Sequence, residues 1–265
     1  MLFRSLKQTP VSAFNDLLQK GTMPDATRPT LYDFIAQEAL KFYTSGEQAA
    51  AKPQDAFAVP AESPVFAPAE QFIAWKIETG DTNSPAYKAL RLYQDLLQFH
   101  ARDQDPTAFI SADLDRLAYG ESAAFGEEKN SRYIAALKRI VDQWGDHELT
   151  ALALHQWARV VHQEGEWVEA HRLAERGAKV FPESVGGKLC RNLITEIEAK
   201  SSSISTERVW NQPWPKIDVQ YRNLNNIYFR AVAYDWDKFL DRKHNRPENL
   251  NRSEERRVGK ECRSR

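Results

Sequence analysis

The chain is poor in the residues from which recognisable catalytic and metal sites are usually built. It has two cysteines, Cys190 and Cys262. Neither has a second cysteine at zinc-finger spacing, so no structural zinc site is indicated. Its eleven glycines fall in no phosphate-binding loop, dinucleotide fingerprint or Gly-x-Ser-x-Gly elbow. No apolar run reaches the 18 or so residues of a membrane-spanning helix. The first residues carry no apolar core of signal-peptide length, and Met1 leads almost directly into helical pattern, which reads as an internal start. Net charge is also missing: 36 Lys and Arg against 37 Asp and Glu leave −1. The two signs are interspersed, so the basic stripe that nucleic acid requires is absent.

The histidines invite a metal hypothesis that their spacing does not support. His147, His155, His162 and His171 are close in sequence, and His155 and His162 share one helical face. No His-Glu-x-x-His pair occurs, and His171 falls on a different helix, so solvated or capping roles are expected. Glu164, Glu166 and Glu169 crowd one turn, which is ordinary for an exposed turn. Trp144, Trp157 and Trp167 are expected to pack in the core. The sequence therefore predicts no enzyme, no catalytic residues, no cofactor and no metal.

What the chain has is helical periodicity. Apolar content of 42% and charged content of 28% fit a soluble globular chain of one or two domains. Residues 1–46 read as N-terminal helices. A short one covers 11–19. The next is capped by Thr30 and is expected to bury Leu31, Phe34, Ile35, Ala39, Phe42 and Tyr43. Residues 47–68 are a Pro/Ala-rich irregular connection that can drape over helices through Phe57, Val59, Val65 and Phe66. Residues 69–200 read as a helical domain. Its helices cover 69–78, a central one from Pro85 to about Ala101, one opening at Asp105-Pro106, and one ending at Gly145. A pair at 149–164 and 166–181 follows, then a last helix through Val185, Leu189, Cys190, Leu193 and Ile197.

Within that pair, Leu154, Trp157, Ala158, Val161, Gly165, Ala170, Ala174, Gly177 and Pro182 stand at the offsets of a tetratricopeptide repeat, with Val161 replacing the usual aromatic. Small Ala158 and Ala170 allow close helix approach. Gly165 makes the turn, Gly177 leaves room for the next helix, and Pro182 ends the second. The fold class expected is mainly α, a TPR-like antiparallel array of helix pairs. An ordinary helical bundle is the alternative. Cys190, on an apolar face, is expected to be a buried structural thiol.

The period then changes to two. Residues 201–208 read as a polar linker and 209–251 as an incomplete β domain. Ile217, Val219 and Tyr221 alternate with Asp218, Gln220 and Arg222. Ile227, Phe229, Ala231 and Ala233 alternate with Tyr228, Arg230, Val232 and Tyr234. The Asn-rich stretch 223–226 is the turn expected between two strands of a hairpin. Residues 252–265 resemble a translated sequencing adapter and are read as an artefactual tail. Setting them aside leaves 30 basic and 34 acidic residues, and Cys190 as the single cysteine.

Phe181-Pro182-Glu183-Ser184, the helix containing 190–198, Pro213-Trp214-Pro215-Lys216-Ile217-Asp218-Val219-Gln220-Tyr221-Arg222-Asn223 and Ile227-Tyr228-Phe229-Arg230 together resemble the N-terminal part of bacterial alpha-2-macroglobulin family proteins. Arg28-Pro29-Thr30-Leu31-Tyr32-Asp33-Phe34 resembles an early stretch of the same proteins. The resemblance implies a helical repeat region before the first macroglobulin-like β-sandwich domain. It implies a non-catalytic module in a periplasmic, extracellular or outer-membrane-associated protein. The whole protein would inhibit proteases or trap proteins, with proteases or envelope proteins as partners. Membrane anchoring would come only through segments outside this sequence. The family's Cys-x-Glu-Gln thioester motif is not present, since Arg191-Asn192-Leu193 follow Cys190. A TPR-type interaction scaffold of other function with an unrelated β appendage, and an enzyme whose catalytic domain lies outside this sequence, are the competing expectations.

Overall fold

A computed structural model describes residues 5–19, 21–45, 56–206 and 216–228. The protein is mainly helical, with two small two-stranded sheets among the described residues. It divides into two units, Met1–Ala199 and Lys200–Arg265.

The first unit opens irregularly. Only Val11–Phe14 of the expected first helix is helical, as a 3-10 turn with no buried residue. Helix α1 (Leu31–Thr44) starts where Thr30 predicts. Its Oγ1 accepts from the Asp33 amide at 3.3 Å, and Asp33 Oδ2 accepts from the Thr30 amide at 2.8 Å, a reciprocal capping box. The face that packs inward is not the expected one. Tyr32, Asp33, Ala36 and Leu40 are buried, whereas Ile35 and Phe42 are exposed. The polar Asp33 turns the helix, because its carboxylate serves the cap and a buried histidine together.

Helix α2 (Ala69–Ala74) is shorter than the expected 69–78. Gln94 Nε2 donates to the carbonyls of Phe72 at 2.7 Å and Trp75 at 2.8 Å. That side chain satisfies the helix end and lets the chain leave extended. Helices α3 (Pro85–His100), α4 (Thr107–Ala123) and α5 (Lys129–Gln143) follow. Pro85 opens α3 as expected, although Ser84 makes no side-chain cap. Asp105 Oδ1 accepts from the Thr107 amide and hydroxyl ahead of α4, and these bonds hold its pKa below the ordinary carboxylate value. Leu90, Leu97, Ile110, Leu114, Leu117 and Leu137 are among the most deeply buried side chains of the unit.

The described part of the Pro/Ala-rich connection is docked, not loose. Val59–Pro60 (β1) pairs in parallel with Ala124–Phe125 (β2). A 3-10 turn at Pro64–Phe66 buries Val65 and Phe66. Arg116 anchors it. Its side chain, on α4, is fully buried, and its Nη1 donates to the carbonyls of Val65 at 3.1 Å and Ala67 at 3.0 Å. Its Nη2 pairs with Asp113, and the guanidinium lies 4.6 Å from the Phe72 ring centroid. Arg139 on α5 donates to Phe66 O at 2.9 Å. Gly120 leaves the space that Phe66 fills, since a Cβ there would lie 2.9 Å from the Phe66 ring.

Helices α6 (Thr150–Gln163), α7 (Trp167–Val180) and α8 (Val185–Glu198) complete the unit and pack against one another. The second unit departs from expectation at its first residues. Ser201–Thr206, expected as linker, is strand β3, and it pairs antiparallel with β4 (Ile217–Arg222). β4 lies where the period-two pattern places it. The partner of β4 is therefore upstream in sequence, and 227–228 are not strand; the rest of the expected second strand, 229–234, lies outside the described residues. Asn223 adopts φ of 56°, the left-handed backbone that asparagine tolerates at a turn. No residue of β3 or β4 is buried; Ile204, Ile217 and Tyr221 are exposed. Serine runs score poorly as strand, and only cross-strand pairing marks 201–206 as one.

Arg116→Met should destabilise the fold by about 3–5 kcal/mol in urea unfolding, because Asp113 would stay buried without its cation. The double variant R116M/D113L should recover part of that loss. Equal losses in both would show that the backbone contacts, not the charge pair, set the cost.

Candidate functional site

The repeat positions converge on one place. Leu154, Ala158, Val161 and Ala170 are buried, as are Ala174 and Gly177. Trp157 packs partly buried on the core, with Lys138 Nζ 5.6 Å from its ring centroid. Pro182 is exposed beyond the end of α7. Gly165 has φ of 89°, and the amides of Gly165 and Glu166 return to the carbonyls of His162 and Val161, each at 3.1 Å. This left-handed cap ends α6 and sends α7 back against it. A Cβ at Gly177 would lie 2.6 Å from Cys190 Sγ, so α7 and α8 touch there. Burial pushes the Cys190 thiol up to about 12, and its Sγ donates to Ala151 O at 3.6 Å. It is a packing residue.

Two glycines that the sequence reading passed over set the approach of α8. A Cβ on Gly186 would fall on the backbone of Ala151 and Leu152, and one on Gly187 would fall on the Phe181 carbonyl. Ser184 caps α8 by accepting from the Gly187 amide at 3.0 Å. A Gly-Gly pair in a first helical turn costs about 1 kcal/mol per residue relative to alanine. That local cost was the available signal, and close packing explains it.

The four histidines do not assemble. His147 Nε2 meets Thr107 Oγ1 at 3.0 Å, and His171 Nε2 meets Glu198 at 2.9 Å. His162 packs edge-on to Trp167, with ring centroids 4.7 Å apart. Burial, helped by Arg159, lowers His155 to about 4. No group of three His, Cys, Asp or Glu side chains among the described residues could hold a metal. No described helix is long and apolar enough to cross a membrane. Trp144 packs partly buried against the core, but Trp167 is exposed at the start of α7, beside the exposed Val168. An exposed α7 surface with Arg176, Lys179 and Val180 leads to Ile194 of α8 across a groove of about 600 Å³. Arg172 on the same helix is held by Glu169 at 2.6 Å.

A charged cluster that the sequence did not flag lies between α1 and α3. His100 Nε2 is 2.8 Å from Asp33 Oδ1, and Nδ1 is 2.7 Å from Asp103 Oδ2. Each ring nitrogen faces a carboxylate, which fits the doubly protonated imidazolium. Burial works against that charge, but the hydrogen bonds and charges of Asp33 and Asp103 raise the pKa above its ordinary value. His100 is 3% exposed, so no substrate reaches it, and its chemistry is that of a clamp.

Comparison of the chain with protein-family models, curated proteins and solved structures gives no match.

Two outcomes follow from this geometry. Gly186→Ala should destabilise by about 3 kcal/mol or more in denaturant unfolding, because overlap with backbone outweighs the roughly 1 kcal/mol of helix propensity gained. The His100 contribution should be complete below about pH 6.5 and fall as pH rises through the higher folded-state value. Stability measured from pH 5 to 9 should therefore decline across neutral pH in the wild type, and this component should vanish in His100→Gln.

Proposed function

We propose that the chain is a non-catalytic protein-interaction module, a TPR-like helical array set before a macroglobulin-like β domain. In this reading it belongs to an alpha-2-macroglobulin-like protein of the cell envelope, in the periplasm or at the outer membrane or outside the cell. That protein inhibits proteases or traps other proteins. The carrying observation is the packing of α6, α7 and α8 through Ala158, Ala170 and Gly177. Small residues at successive crossings let helix pairs stack, and stacked pairs present extended surfaces to proteins. The β3–β4 pair supports the second half of the reading. Two strands with no buried side chain need further strands or a covering layer to be stable.

A TPR-type scaffold of unrelated function is the second reading, favoured by the exposed Trp167 and Val168 and the groove beside Arg176 and Lys179. The coding sequence beyond residue 251 separates the two. The first reading expects successive β domains of about 100 residues each, the size of ordinary sandwich domains. A single globular catalytic domain in that place would refute it, and an end of the reading frame shortly after would favour the scaffold.

A further inference from the structure

A cavity of about 340 Å³ opens among α1, α3 and α4, away from the α6–α8 packing. That volume lies in the range of small-molecule sites. Gln37 and Lys41 enter from α1, Tyr93 from α3, and Asp115 and Tyr119 from α4; Arg28 lines it from the turn before α1. The tyrosine rings lie 5.8 Å apart, tilted by 32°.

The unusual member is Asp115. The buried carboxylates of this region have charged partners in contact: Asp33 has His100, and Asp113 has Arg116, whereas Asp115 is half-buried on the cavity wall. Asp115 receives one bond, from the neutral Gln37 amide at 3.2 Å. A carboxylate offers about four acceptor sites, so most of its capacity is left to water or a ligand in the cavity. Burial raises its pKa, and the bond from Gln37 and the charge of Arg28 only partly oppose that. Tyr93 feels the same charge, its phenol pushed up by burial and then by Asp115. An under-compensated carboxyl facing an open cavity is poor for stability and good for binding a donor. Aromatic faces beside it favour a cation. Arg28 on the same cavity favours an anion, whereas Lys41 is already paired with Glu38 at 2.5 Å.

We propose that this cavity binds a small zwitterion of the free α-amino acid class, its ammonium on Asp115 beside the tyrosine rings and its carboxylate toward Arg28. This goes beyond the interaction-module reading and does not depend on it.

The test is calorimetric titration of the 265-residue chain with individual amino acids, and with ethylamine and acetate as single-charge probes. At least one amino acid should bind with a dissociation constant below about 10 mM, and both single-charge probes should bind about tenfold more weakly. Asp115→Asn should lose at least about tenfold while its melting temperature stays level or rises, a combination a purely structural residue would not give. Arg28→Gln should weaken amino acid binding and leave ethylamine unaffected. Gln37→Ala, with unchanged circular dichroism, gives a second variant should D115N fold poorly, and a loss of about threefold is expected. The proposal is overturned by no amino acid binding at about 10 mM, by either single-charge probe binding as tightly, or by variants that bind as the wild type does.

Discussion

The guanidinium of Arg116 is the contact on which the first unit depends. It reaches two carbonyls of the segment at 65–67, a carboxylate one helical turn away and an aromatic face. A buried cation is costly unless its bonds are satisfied, and here they come largely from a segment with little regular structure of its own. The dependence runs both ways. The segment has few internal hydrogen bonds to hold its shape, and Arg116 and Arg139 supply that shape from α4 and α5. A Pro/Ala-rich stretch thereby becomes part of the core, with Val59, Ala61, Val65 and Phe66 buried.

The C-terminal helices are organised by the opposite means. No buried charge holds α6, α7 and α8 together. They are held by missing side-chain atoms, at Ala158, Ala170, Gly177, Gly186 and Gly187. Close backbone approach gains many dispersion contacts, each small, without the desolvation of a charge. One half of the unit is thus fixed by specific polar contacts and the other by shape, and substitutions should act differently in the two.

These two means also explain how much could be read from the sequence. Local rules found most elements: the Thr30 cap, Pro85 at the start of α3, Gly165 between α6 and α7, and the alternation of β4. Leu154, Ala158, Val161, Ala170 and Gly177, singled out by the repeat offsets, lie in the interior. What could not be read depends on partners distant in sequence. The face of α1 is set by Asp33 meeting His100, and the end of α2 by Gln94. The serine-rich β3 is a strand because β4 lies beside it, though nothing in its own composition says so. Among the candidate sites, His100 went unnoticed because its partners come from a cap and a loop. The Asp115 cavity was invisible for the same reason, since its walls come from three helices and a turn.

The small parallel bridge between β1 and β2 bears on the order of folding. Val59 pairs with Ala124, beyond α2, α3 and α4 in the chain. Parallel strands separated this far must close a long loop before any bond forms. The 59–67 segment has no surface to settle on until α4 and α5 have met, since Arg116 and Arg139 come one from each. Docking of the segment therefore depends on contacts distant in sequence that no single helix can supply by itself.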